Sequence, residues 1–506
     1  MSATINYESF NYRQKLFCLT DTVKVECKTE AKPDCKILSL TPFITYLGSE
    51  TINGQIKYTG KIIYEALSQN ETFTDKSECA TEFLGTIKSD EIENDYFSKV
   101  DFEIIKTDYD VVNGFLVITT IITAHVTFYK DASQKYVCGG DGLVVKSEVT
   151  TLSKQIFSKR SSATVIEEFE IGALLRDVLL HSEQAVVTSV QCGIGCVIAE
   201  GEWSISLYAL QKNENNDILK ETKTFPFRLE IECDGVTPTM RAVANAVVSD
   251  RAISAVCYEE TGTTTVKVEL TLKLDGDAYA CEDLPVAIDA FSISDELDLK
   301  KEEITFYEPT ALLSFNERFC ERVLIDELEP GSKLVFSTCN EVKKISSTIE
   351  NGYIKTEYAI GCTLYYKNGD GNLFTVPTQF PIGITENLPD ALIADDANTY
   401  AIVCDFNAKA VTLSEVEVYG TVKLSATFTQ KKSVVAVVDA TVVGEKAPND
   451  HAFSIYIAQS NEDLWTLSKR LSVSPDDLIK ANPDLEFPLI GDERIIVYRQ
   501  KTKEYS

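Results

Sequence analysis

Three anchors recur in one register along most of this chain, and a repeat of that length limits the possible folds more than any other feature. Leu38, Leu179 and Phe336 each close a short apolar cluster, in Cys35-Lys36-Ile37-Leu38, Arg176-Asp177-Val178-Leu179 and Lys333-Leu334-Val335-Phe336. Sixteen residues later a glycine follows each time, as Gly54, Gly195 and Gly352. Two of these glycines follow asparagine, and Asn-Gly is the strongest short hairpin signal because its turn needs positive φ. Thirteen residues further on stand Leu67, Tyr208 and Tyr365, which end runs such as 202–208 that nearly alternate apolar and polar side chains. Alternation of period two marks a strand with one buried face.

Each unit then shows a second hairpin. The first spans 109–129 around Asn113-Gly114, the second 252–274 around Thr261-Gly262, and the third 406–428, turning near Leu413-Ser414-Glu415. The β-branched content of 117–123 and 263–270 favours strands over helices. The Gly54–Gly195 and Gly195–Gly352 separations exceed those of solenoid repeats, so the units are expected to be separate beads with their own cores. The fold class is therefore mainly β: three tandem antiparallel, sandwich-like domains followed by a small α+β module. The expected division is 1–150 for an N-terminal segment plus repeat 1 and 151–282 for repeat 2. A connector at 283–325, repeat 3 at 326–435, a linker at 436–452 and the module at 453–500 complete it.

In that module, 454–458 reads as a short strand, and Leu464, Leu467 and Leu471 recur at helical spacing. A helix starts near Asp463. A second has Ser474 as N-cap, Pro475 at its first position and Asp477 in the capping-box place, and Asn482-Pro483 stops it. Gly491 turns the chain into a closing strand, 494–498. Trp465 is expected to pack in the core with the leucine stripe. The contact surface is assigned to two loops flanking the helices, through Ser460, Asn461, Glu462, Asp463, Asn482, Pro483, Leu485 and Ile490.

Tyr456, Leu464-Trp465, Leu478, Asn482-Pro483 and the 495–498 strand resemble, in order and spacing, the pattern of a LysM domain. Where that family has Gly-Asp-Thr before Leu-Trp, this chain has Asn461-Glu462-Asp463, and the usual Pro-Gly is Ile490-Gly491. The resemblance implies a βααβ fold and binding of N-acetylglucosamine glycans or of a protein. The upstream pattern of apolar cluster, Asn-Gly hairpin, alternating strand ending in Leu-Tyr and second long hairpin resembles the SPOCS domain (DUF3794) of spore-forming Firmicutes. It covers roughly 30–130, 170–275 and 330–430.

Tandem SPOCS-like units with a C-terminal LysM resemble clostridial spore coat morphogenetic proteins, whose LysM docks onto the coat's scaffold-forming morphogenetic ATPase. What this implies is a non-enzymatic scaffold of spore coat and cortex, made in the mother-cell cytoplasm and recruited to the forespore surface. The other reading is a cell-wall or surface protein whose LysM binds peptidoglycan.

Composition narrows the partners. A formal net charge of −30 repels phosphate backbones and anionic membranes, so no nucleic acid partner is expected. The N-terminus lacks a basic stretch followed by an apolar one, so no secretory signal is expected, and the greasiest run, 115–126, is too short for a transmembrane segment. Fourteen cysteines are spread widely, and Cys192 and Cys196 lack zinc-knuckle spacing, so reduced structural thiols are expected. No nucleophile elbow, HExxH, Walker A lysine or dinucleotide fingerprint occurs, and no two of His125, His181 and His451 are close in sequence. Neither an enzyme, nor a metal, nor a cofactor is expected. The Gly139–Gly142 and Asn368–Gly371 segments read as turns, and His125 as a residue of a strand face.

Overall fold

A computed structural model describes residues 3–31, 35–70, 74–213, 217–447 and 453–498. The fold is mainly β, built of small antiparallel sheets, with two short helices near the C-terminus. One six-strand arrangement occurs three times.

In the first unit, β1 (Asn6–Glu30), β5 (Phe97–Val112) and β6 (Phe115–Gly139) form a sheet in the order β1-β6-β5, and β2 (Lys36–Ile52), β3 (Gln55–Gln69) and β4 (Thr74–Lys88) form a second in the order β2-β3-β4. The second unit repeats this with β7 (Leu143–Ile171), β11 (Arg241–Tyr258) and β12 (Thr263–Ser292) in one sheet and β8 (Leu175–Cys192), β9 (Cys196–Gln211) and β10 (Ile218–Glu232) in the other. The third uses β13 (Asp295–Leu324), β17 (Asp396–Ala410) and β18 (Glu415–Glu445) with β14 (Lys333–Glu350), β15 (Tyr353–Lys367) and β16 (Leu373–Asn387). The hairpins sit where the turn chemistry puts them. Gly54, Gly195 and Gly352 have φ of 78°, 70° and 80°, and Asn113-Gly114 and Asn351-Gly352 have positive φ at both positions, as a type I′ turn requires.

Each unit encloses a core between its two sheets. Tyr58, Tyr64 and Phe128 fill the first, Trp203, Leu270 and Leu272 the second, and Tyr358, Leu364 and Leu424 the third. The units are nonetheless not separate beads. Leu38 and Leu67, Leu179 and Tyr208, and Phe336 and Tyr365, the six anchors of the repeat, pack together in one cluster. Phe336 stacks on Tyr365 at 4.1 Å and lies 5.1 Å from Tyr208, whose hydroxyl donates to the Ser337 carbonyl at 2.8 Å. Leu38 and Leu179 are the extra residues of β-bulges, which re-aim side chains out of the regular alternation.

A second shared region lies on the long last strands. Each carries a bulge at the corresponding place, Cys138 in β6, Ile288 in β12 and Val438 in β18. Just before it the adjacent pairs Tyr136-Val137, Val286-Ala287 and Ala436-Val437 are all buried. Burial of consecutive residues means both strand faces are covered, and these residues sort into two clusters, each with members from all three units. The units therefore pack around one another rather than in a row.

The expected boundaries change accordingly. The stretch 283–325 is not a connector: its first part ends β12, and β13 is the first strand of the third unit, paired along its length with β18. Its polar run Lys300-Lys301-Glu302-Glu303 hides the alternation, whereas Ile304, Phe306 and Glu308 are buried. The expected linker at 436–452 is likewise strand as far as Glu445. Only residues 140–142 and 293–294 separate successive units.

Candidate functional site

The C-terminal module pairs β19 (Phe453–Ile457) with β20 (Arg494–Tyr498) antiparallel, with α1 (Leu464–Leu471) and α2 (Pro475–Ala481) between them. Local chemistry sets both helix starts. Asp463 caps α1 by accepting from the Thr466 amide at 3.0 Å and the Thr466 hydroxyl at 2.6 Å, bonds that hold its carboxyl below the usual carboxylate range. Ser474 caps α2, accepting from the Asp477 amide at 3.1 Å and donating to its carboxylate at 2.8 Å. Leu467, Val473, Leu478, Leu489, Ile495 and Val497 make the buried core, with Tyr456, Leu464, Leu471 and Leu485 packed against it.

The two expected contact loops meet. The Asn461 amide donates to the Leu489 carbonyl at 2.8 Å, and the Leu489 amide to the Glu462 carbonyl at 2.9 Å, joining 460–463 to 489–491 as one ledge. Ser460, Asn461, Asp463, Pro483 and Ile490 are exposed, Ile490 at 86%. Asn461 has φ of 64°, a left-handed position asparagine tolerates well.

Three of the expected contact residues serve the fold instead. Glu462 is buried, pairs with Arg470 and accepts from the Gln459 amide at 2.8 Å. Asn482 is buried too: its amide nitrogen donates to the Leu478 and Ile496 carbonyls at 2.8 and 2.7 Å, and its oxygen accepts from the Ile496 amide at 2.7 Å. That side chain ties α2 to β20, which is why a polar residue sits there. Leu485 is partly buried against the module core.

Trp465 is the larger correction. It lies outside the leucine core, because i and i+2 on a helix face different ways and Leu467 holds the inward position. Its indole nitrogen donates to Asp289 at 2.8 Å, and its ring meets Phe291 edge-on at 5.2 Å, both residues being on β12 of the second unit. Asp289 also accepts from Lys469 at 2.8 Å and pairs with Lys301 at 3.0 Å. Burial acts to raise the Asp289 carboxyl, but the bonds from Lys469, Trp465 and Lys301 prevail and hold it down at about 2. Beside it Lys446 donates to the Ser292 carbonyl at 2.6 Å and the Ser472 hydroxyl at 2.8 Å. The module is thus clasped to the body through the Asp289 carboxylate and the neighbouring Lys446–Ser472 bond. No sequence pattern marked Asp289, since it stands just past the Ile288 bulge, where strand alternation loses register.

His125 lies on β6, half-exposed, 3.3 Å from Glu103. His451 lies outside the described residues. Burial pushes the Cys192, Cys233, Cys339 and Cys362 thiols up, the last two to about 12, so these are poor nucleophiles. Residues 139–142 and 368–371 are turns, the latter closed by Asn368 accepting from the Asp370 and Asn372 amides. Among the described residues no group of three or more His, Cys, Asp or Glu could hold a metal, and no helix is long and apolar enough to cross a membrane. Comparison with family models, with curated proteins and with solved structures returned no match.

Proposed function

We propose that this chain is a non-enzymatic scaffold of the spore envelope that docks, through its C-terminal LysM-like module, onto a coat protein of the morphogenetic ATPase type at the forespore surface. The observation that carries the reading is the division of labour on α1. Its tryptophan and lysine face are bound to Asp289, while Ser460, Asn461, Asp463 and Ile490 on the ledge stay exposed. With Trp465 engaged, an aromatic platform for a sugar ring is missing from that face, and an acidic-apolar ledge of Asp463 and Ile490 fits a basic patch beside an apolar socket on a protein. Peptidoglycan binding is the competing outcome.

The test uses the full chain with Asp463→Asn and Ile490→Asp. Asparagine caps a helix as well as aspartate, and Ile490 is exposed, so folding is spared. The wild type is expected to be retained by the immobilised coat ATPase, to stay in solution with purified peptidoglycan, and to ring the forespore as a fluorescent fusion. The double variant loses retention at an unchanged melting temperature. Co-sedimentation with peptidoglycan, or a diffuse distribution in sporulating cells, sinks the scaffold reading.

A further inference from the structure

All fourteen cysteines are free, and two of them meet in the core of the first unit, where docking through the module has no use for a thiol. The two sheets of that unit stack with β1 against β4 and β2 against β5, so each pair of edge strands closes one side of the sandwich. Cys27 points inward from β1, 6% exposed between the exposed Glu26 and Lys28. Cys79 points inward from β4, partly exposed, and its register partner Tyr64 is fully buried. The Tyr64 hydroxyl crosses the sandwich to donate to Thr120 Oγ at 2.8 Å, and Thr120 is the register partner of Val25 on β1. The inner faces of β4 and β1 thus come to one place, and there the Cys79 thiol hydrogen-bonds to the Cys27 thiol.

What sets this pair apart is access and what it would join. Cys339 and Cys362 stand directly opposite on β14 and β15, but they are 8% and 2% exposed and lie on strands already hydrogen-bonded to each other. Cys27 and Cys79 lie on different sheets, and Cys79 has a path to solvent. Burial and the neighbouring Cys27 thiol push Cys79 up to about 12, so its thiolate is scarce at neutral pH and grows about tenfold per pH unit.

We propose that Cys27 and Cys79 are a latent disulfide that staples β1 to β4 when the chain meets a small-molecule disulfide. Cys79, the more open of the two, gives its proton to water, and its sulfur bonds to one sulfur of the reagent while the other leaves as a thiolate and takes up a proton. Cys27 then loses its proton, its sulfur bonds to that of Cys79, and the second half of the reagent leaves as a thiol. Two protein thiols are oxidised to one disulfide and one reagent disulfide is reduced to two thiols, so no other reactant is needed. The bond encloses residues 28–78 and makes the contact between the sheets covalent at that edge. Phe10, further back on β1, packs in a cluster shared by all three units, so the staple would hold that strand at both ends. In a reducing compartment the pair stays open.

The full chain, incubated with oxidised glutathione at about pH 8.5 and mapped by mass spectrometry without reduction, tests this. A linked Cys27–Cys79 peptide that dithiothreitol separates is expected, with Cys339 and Cys362 unmodified. Closure is expected to slow about tenfold for each pH unit lower, and the closed form to exchange amides in 24–30 and 76–82 roughly tenfold more slowly than the open form. Cys79→Ala, at a partly exposed position, keeps the fold, and it is expected to lose both the linked peptide and the slowed exchange. Glutathione retained on Cys79 beside an unmodified Cys27 overturns the proposal. So do unreacted Cys27 and Cys79 in a chain whose exposed Cys257 and Cys320 are fully modified.

Discussion

The three-unit body and the C-terminal module are held by opposite means. Where all three units meet, the contact is apolar: Leu38, Leu179, Phe336 and their tyrosine and leucine partners form one cluster, and the strand pairs before the three bulges form two more, while ion pairs such as Arg251 with Glu65 and Arg241 with Glu308 join the units two at a time. Apolar burial is non-directional and shared, so each unit's loss is felt by the others. The module is held instead by polar contacts, the Asp289 carboxylate accepting from the Trp465 indole and the Lys469 ammonium and Lys446 donating to the Ser472 hydroxyl, backed by the aromatic contact of Phe291 with Trp465. Such a clasp is directional, screened by salt and half open to water. The difference implies that the body unfolds as one cooperative structure, whereas the module can leave without it.

The strongest way to break this contrast is Phe336→Ala. Truncating a buried phenylalanine costs about 3–5 kcal/mol through lost burial and the cavity left behind. The decisive readout is where the loss appears. Because Phe336 touches Tyr208 as well as Tyr365, amide exchange is expected to accelerate in β9 and β3 along with β15. Acceleration confined to β14, β15 and β16 would return the molecule to three independent beads.

One of the polar contacts between units of the body sharpens the comparison. Lys220 on β10 crosses to the third unit, donating to the Phe406 carbonyl and, at 3.0 Å, to Asn407. Burial lowers its ammonium from the ordinary value to about 8, with Asp405 opposing. The unfolded chain therefore holds more protons than the folded one from about pH 8 to the ordinary lysine range, and stability rises with pH through that window. The gain is at most about 3 kcal/mol. Lys220→Met is expected to flatten the rise in a pH series of denaturant midpoints, and parallel curves for the two proteins would place Lys220 in contact with water.

Much of this architecture could be read from the chain. The glycines at 54, 195 and 352, the Asn-Gly turns and the alternating runs placed the hairpins, and Asp463, Ser474 and Pro475 placed both helices. What could not be read is the shared packing. Leu38 and Leu179 sit at bulges, so a period-two pattern gives no account of where they point, and 300–303 lies opposite the Val438 bulge with none of its residues buried, so no alternation shows there. In the module the loop positions were legible and the division of roles within them was not. Glu462 and Asn482 look like surface polar residues until Arg470 and the backbone of β20 are seen to occupy them. Trp465 and Asp289 lie far apart in sequence, and nothing in either neighbourhood predicts the other.

The clasp itself gives the smallest effect and the most specific one. Asp289→Ala removes the acceptor for Trp465 and Lys469 at a partly exposed site, a change worth about 1 kcal/mol, so the body's melting temperature should hardly move. The chain has two tryptophans, and Trp203 is buried in the second unit, so a red shift in emission reports Trp465 entering water. The pH dependence separates release from unfolding. The folded Asp289 carboxyl lies at about 2, below its ordinary value of 3.8, so its contribution is complete above the ordinary value and is lost as pH falls through about 2. Wild-type emission is therefore expected to hold down to about pH 4 and to shift only below it, while Asp289→Ala is already shifted at neutral pH. A wild-type shift that coincides with loss of sheet signal would mean that module and body come apart together, and the contrast between an apolar body and a polar clasp would no longer describe how the molecule is held.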